Sequence, residues 1–216
     1  MTWAEIKTMC QTIYGQYVGT GKLIDDSNGD SSNPSSLALL LHLVNNRIAS
    51  YPNEFNFLRE TGTISLTGAT TYNLKTLFPD LKNVYQVYGI TSYQEHNYYP
   101  NSEANITPLD GYTVKDNSLI FTGSAPTGTA SIQYKSKYMV KSSAGVRKMY
   151  FLDDDDYSVL DDSDINALIF GLVDFINWQS DSETGERKKE IKGWYTEAFN
   201  NLILNNKQSK QLNSLL

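Results

Sequence analysis

The sequence predicts an α+β fold, an α-helical bundle core of about four helices with an inserted antiparallel β-meander of four to six strands. Three observations lead there. In the stretch Asp161 to Asn205, Ile165, Leu168, Ile169, Leu172, Val173 and Ile176 recur at three- and four-residue steps. After a charged turn, Ile191, Trp194, Tyr195, Ala198, Phe199, Leu202 and Ile203 do the same, which is the pattern of an antiparallel helix pair. A further apolar stripe, Leu37 to Ile48, supplies a face for that pair to bury against. From Glu60 to Tyr138 the apolar period falls to two, the signature of strands. The organisation expected is residues 1–60 as N-terminal helices of the core, 61–152 as the inserted β-domain, 153–205 as the closing helix pair, and 206–216 as a C-terminal tail.

The first helix follows from Thr2 and Glu5, which have capping-box spacing, and from Trp3, Ile6, Cys10, Ile13, Tyr14 and Tyr17 at helical spacing. A polar run from Asp25 to Ser32 reads as a loop. Asn33-Pro34 offers an N-cap followed by proline at the first helical position, so the second helix is expected from there to about Ser50. In the β-block, Thr63 to Leu66 leads into a turn at Thr67-Gly68-Ala69, and Thr71 to Leu74 is expected to return beside it. Asn83 to Tyr93, Tyr112 to Val114, Ser118 to Phe121 and Thr129 to Tyr138 read as further strands.

Composition bounds the function. With 24 acidic and 18 basic residues the net charge is -6, which argues against a general nucleic-acid binder, since affinity for phosphates comes mainly from basic surface. Mean hydropathy is -0.41, and no window approaches the roughly 18 to 20 apolar residues of a membrane span. The first residues carry neither a basic nor an apolar leader segment, so no signal peptide is expected and the product should remain in the cytoplasm where it is made. Cys10 is the single cysteine and lies on an apolar stripe, where a buried structural thiol is the plainer reading than a nucleophile. His42, inside an apolar helix, reads as a packed core or interface histidine rather than a ligand.

Several motifs invite chemistry and fall short of it. Gly19-Thr20-Gly21-Lys22 lacks the Ser or Thr of a phosphate loop and follows no strand. Asp26, Asn28 and Asp30 alternate like a calcium loop, but Ser31 stands at the required glycine and Leu37 at the terminal glutamate. The four aspartates Asp153, Asp154, Asp155 and Asp156 cannot all point at one site from an extended segment, which weakens a hydrolase reading. The basic cluster Arg187, Lys188 and Lys189 opposes it in sign, so in an assembly of many copies the two would pair between subunits. With no set of nucleophile, base and oxyanion donors, the expectation is a non-enzyme without cofactor or metal. The tyrosines, 15 in all, suit either a protein interface or, as the alternative, a glycan-binding tail or surface protein.

The helix at Ser35 to Ser50, the strands around Gly62 to Leu66 and Tyr72 to Leu74 closing at Phe78-Pro79-Asp80, and the segment Asn117 to Phe121 come in a suggestive order. Pro126 with Ala130 to Lys135, and the helix pair opening at Leu160 to Asp164, complete it. Over roughly Ser35 to Asn205 this arrangement resembles the head-to-tail adaptor (connector, or head-completion) proteins of tailed bacteriophages, which form a ring under the portal. The likeness is one of pattern and order, with no diagnostic motif.

The resemblance implies a structural virion protein at the head-tail junction, a homo-oligomer of twelve copies. It would seal the junction and pass double-stranded DNA without reading it. It also implies a portal protein as one partner and a tail or second ring protein as another, with no membrane. Lys207, Lys210, Leu212, Leu215 and Leu216 would form the portal-docking tail, and Tyr85, Tyr88, Tyr93, Tyr98 and Tyr99 would face the next ring or the tail. The family offers no role for Asp153 to Asp156.

Overall fold

The computed structural model describes residues 1–50, 55–90, 94–95, 111–162, 164–165, 169, 171–172, 193 and 196–204. The chain divides into two compact units, one of Met1–Leu58 with Tyr138–Leu216 and one of Arg59–Lys137, each around its own apolar core.

The first unit begins with α1 (Trp3–Tyr14). Thr2 caps it by accepting the Glu5 amide while the Glu5 carboxylate accepts the Thr2 amide, so the capping box is complete. Helix α2 (Ser36–Ser50) starts later than Asn33-Pro34 suggests. The Asp30 carboxylate takes the amides of Ser32 and Asn33 into a turn of their own, and Ser35 Oγ reaches the Ala38 amide instead. A single 310 turn, Asn56–Leu58, closes this part.

The second unit holds β1 (Arg59–Thr67), β2 (Thr71–Asn73), the one-turn helix α3 (Leu74–Leu77), β3 (Leu81–Tyr88), β4 (Gln94–Glu95), β5 (Gly111–Lys115), β6 (Ser118–Thr122) and β7 (Thr127–Ser136). These form two sheets, one ordered β1-β7-β3 and one β2-β6-β5-β4, antiparallel except for the β4–β5 pair. Along β1 Ile64 and Leu66 are buried while Thr63 and Ser65 are exposed, so period two holds with one face in the core. Asp116 and Asn117 carry φ of 52° and 61°, the two left-handed central residues of a primed hairpin turn between β5 and β6.

The chain returns to the first unit with β8 (Val140–Lys141), β9 (Arg147–Lys148) and β10 (Tyr157–Ser158), a small sheet ordered β10-β8-β9. Met139, Val140 and Phe151 share a core with Trp3, Leu37, Leu41 and Ile48, and Leu172, Phe199, Leu202 and Ile203 join it. Residues 165, 169, 171–172, 193 and 196–204 are helical, and the rest of the expected helix pair lies outside the described residues.

The expected architecture, a bundle of about four helices with one inserted meander, is therefore corrected. Among the described residues the fold is mixed α and β, with ten strands in three small sheets and only two named helices longer than a single turn. Two physical reasons account for the difference. Strands of two residues such as β8 to β10 have no period to read, so a sheet within the first core was invisible. In the second unit, β7 inserts between β1 and β3, and β1 and β2 belong to different sheets instead of forming a hairpin. The Tyr72 hydroxyl accepts the amides of Thr67 and Ala69 at 2.7 and 3.2 Å, which holds that link as a corner rather than a tight turn.

Gly62 on β1 is required by Phe78. A Cβ at this position would lie 2.2 Å from Phe78 Cε1 and 2.7 Å from Cζ, and the Phe78 ring packs on Tyr134 with centroids 5.2 Å apart. Gly62→Ala is expected to cost about 1–3 kcal/mol by overpacking. Phe78→Leu in the same chain should recover most of it, as read by a double-mutant cycle in urea.

Within each unit, the chain ends that lead to the other are held together. Arg59 pairs with Lys135 at the first rungs of β1 and β7, so the second unit begins and ends side by side. In the first unit, the Arg147 guanidinium donates to the carbonyls of Phe57 at 2.7 Å and Tyr138 at 2.9 Å, tying the departing and returning chain together.

Candidate functional site

The loop Asp153 to Asp156 gathers charged contacts from three parts of the first unit. Its first task is backbone chemistry. A helix begins with amides that have no intrahelical acceptor. In α1 the Trp3 amide donates to the Asp156 carbonyl at 2.7 Å, the Ala4 amide to the Asp154 carbonyl at 3.2 Å, and the Glu5 amide to Thr2 Oγ1. Thr2 also bridges Tyr157, and the Ser158 amide donates to the Met1 carbonyl. The acidic loop thus closes the start of α1, where negative charge also complements the helix dipole.

The side chains lock the same junction. Asp156 is fully buried, and its carboxylate accepts the amides of Leu152 and Asp153 and two bonds from the Lys148 ammonium, at 2.8 and 3.0 Å. Lys148 reaches Asp153 as well, at 2.7 Å. Burial would lower the Lys148 pKa, but its bonds to Asp153 and Asp156 outweigh that and hold it above the ordinary value. Asp154 pairs with Lys7 of α1 at 2.5 Å, and hydrogen bonds from Lys7 and Asn28 hold its carboxyl below the usual value. Asp153, Asp155 and Asp156 each place an oxygen within 4.8 Å of the others, and the positive charge already meeting two of them is Lys148.

Asn28 joins the loop from the other side. Its Oδ1 accepts from Trp3 Nε1 at 3.1 Å and Lys7 Nζ at 3.0 Å, and its side chain stands beside that of Asp154. Trp3 is completely buried and stacks on Phe151 at 5.1 Å. The calcium-like alternation has a structural explanation here: Asp26 accepts from Gln11, Asn28 from Trp3 and Lys7, and Asp30 from the amides of Ser32 and Asn33. Each answers a different donor within the protein. Lys22 of the phosphate-loop-like segment donates to the Gly15 carbonyl.

Of the residues the sequence singled out, Asp153, Asp154 and Asp156 are engaged within the chain, and Asp155 is exposed. Arg187, Lys188 and Lys189, the tail residues Lys207, Lys210, Leu212, Leu215 and Leu216, and Tyr93, Tyr98 and Tyr99 lie outside the described residues. Tyr85 and Tyr88 stand on β3. Tyr85 is half-buried with its hydroxyl enclosed and the Arg59 guanidinium 4.8 Å from its ring centre, while Tyr88 is exposed. The partners that give the acidic loop its meaning, Lys7, Asn28 and Lys148, were not legible, because two of them lie far upstream and no motif joins them to the aspartates.

Cys10 is fully buried, and burial, with the Asp26 charge adding to it, pushes its thiol up to about 12, so it persists as a packed neutral thiol. His42 is buried on α2, with Nδ1 3.0 Å from the Met149 carbonyl and Nε2 2.8 Å from Asn46 Nδ2. A neutral ring donating from Nδ1 and accepting at Nε2 satisfies both partners. Burial lowers its pKa below 6.5, with the Met149 carbonyl opposing. The unfolded chain therefore takes the proton first. The contribution to stability is complete above 6.5 and drains as pH falls through the folded value. Urea midpoints should fall between neutral and mildly acidic pH, and His42→Gln should flatten that slope.

Among the described residues no helix is long and apolar enough to cross a membrane. The chain matches no family model and no curated protein.

Proposed function

We propose that this chain is a structural virion protein of a tailed bacteriophage, a head-to-tail adaptor that forms a ring beneath the portal, seals the head-tail junction and passes DNA. The observation that carries this reading is a compact β unit inserted whole into a helix-containing unit, leaving and rejoining it at neighbouring points. An adaptor needs one part to dock and another to meet the next component, and an insertion supplies both from one chain. Charge is divided in a way that suits the role. The β unit has six Lys or Arg against six Asp or Glu, so the whole excess of -6 belongs to the other unit. Acidic surface lining a DNA passage would repel phosphate rather than grip it. Asp153, Asp154, Asp156, Cys10 and His42 each have a packing, pairing or capping role within the first unit, which favours a structural role over catalysis.

The test is assembly. The purified chain should be monomeric or weakly associated, and should form rings when mixed with the portal protein encoded beside its gene, as seen by negative-stain microscopy. A stable monomer that leaves that portal bare would overturn the proposal.

A further inference from the structure

We propose that Asn28 is a site of spontaneous deamidation, restrained while the acidic loop grips α1 and released when that grip opens. Asn28 precedes Gly29, and it is the one Asn-Gly pair in the chain. Glycine leaves its own amide nitrogen unhindered, so that nitrogen can attack the preceding side-chain amide carbon. In the step, a bond forms between Gly29 N and Asn28 Cγ, the Cγ–Nδ2 bond breaks, and ammonia leaves with the displaced proton. Water then opens the cyclic imide at one carbonyl or the other, giving aspartate or isoaspartate. Asn28 is exposed, so water has access.

The structure explains why so labile a pair stands here. A Cβ on Gly29 would lie 2.5 Å from the Asn33 carbonyl oxygen and 2.8 Å from both Pro34 Cα and Ser35 N, all backbone, so no other residue fits. Asn28 accepts from both Trp3 and Lys7 with its neutral amide beside the Asp154 carboxylate, where an aspartate would set a second negative charge. To cyclise, Cγ must swing toward Gly29 N and abandon both Trp3 and Lys7. The product carboxylate keeps an acceptor for Lys7 but faces the Asp154 charge without a proton between them. Isoaspartate also lengthens the backbone where one added atom on Gly29 would already collide with Asn33 to Ser35.

The experiment follows conversion by peptide mass mapping and by isoaspartyl methyltransferase labelling, in mildly alkaline buffer, for the native chain and the chain in concentrated urea. Asn28 is expected to convert before any other asparagine in urea and at least about tenfold more slowly when folded, since hydrogen bonds including one to a charged group must first break. Asp154→Ala, checked as folded by circular dichroism, should speed native conversion several-fold, and Asn28→Asp should lower the thermal midpoint. Equal rates in native and urea-treated chain, faster conversion elsewhere, or a folded Asp154→Ala protein converting at the native rate would each overturn the proposal. None of these readouts depends on portal binding.

Discussion

Asp156→Ala is expected to destabilise the first unit by about 3 kcal/mol, because it removes the buried partner of Lys148, leaves that ammonium with Asp153 alone, and strips the amides of Leu152 and Asp153 of their acceptor. The Lys148 side chain is 25% exposed, so water recovers part of the loss and the value falls at the lower end for such pairs. Asp156→Asn should lie between, since an amide oxygen still accepts. Adding Lys148→Met to Asp156→Ala should recover part of the loss by removing the half-paired charge, the two amides remaining without their acceptor. Urea unfolding followed by circular dichroism measures all four proteins, and an Asp156→Ala chain as stable as the parent would refute the role assigned to this carboxylate.

Trp3→Ala should cost about 3–5 kcal/mol, the range for emptying a large aromatic site. Trp3 has no exposed surface, lies on the Phe151 ring and donates to Asn28, so a single truncation opens a cavity and frees an acceptor. Trp3→Phe separates the two effects: it keeps a ring on Phe151 and loses the indole donor, for about 1 kcal/mol plus the smaller volume change. Thermal unfolding distinguishes them, and near-equal losses for Phe and Ala would mean that the hydrogen bond, not the packing, dominates.

What was legible in the sequence was local. Thr2 and Glu5 announce their capping box three residues apart, and Asp116-Asn117 stand at the sharp turn between β5 and β6. The architecture was not legible, because it rests on pairings between distant residues. Thr63 finds Ser131 across β7, not the strand that follows it, and no periodicity records that choice. Asp154 reads as one member of a charge run until Lys7 is found beside it, 147 residues away. The start of α2 was misplaced for a competing local reason: Asp30 captures the amides of Ser32 and Asn33 before the helix can begin.

The Arg147 staple has an evolutionary consequence. Because one guanidinium holds Phe57 and Tyr138 by their carbonyls, the two ends of the first unit's chain are joined through backbone rather than through particular side chains of those residues. A coding segment for Arg59–Lys137 is thus free to be exchanged or lost between two fixed junctions, with the same arginine gripping the flanking Phe57 and Tyr138 whatever stood between them. A short loop joining Leu58 to Tyr138 should leave a folded remnant, and Arg147→Lys, which cannot fork to both carbonyls, should make that graft fail first.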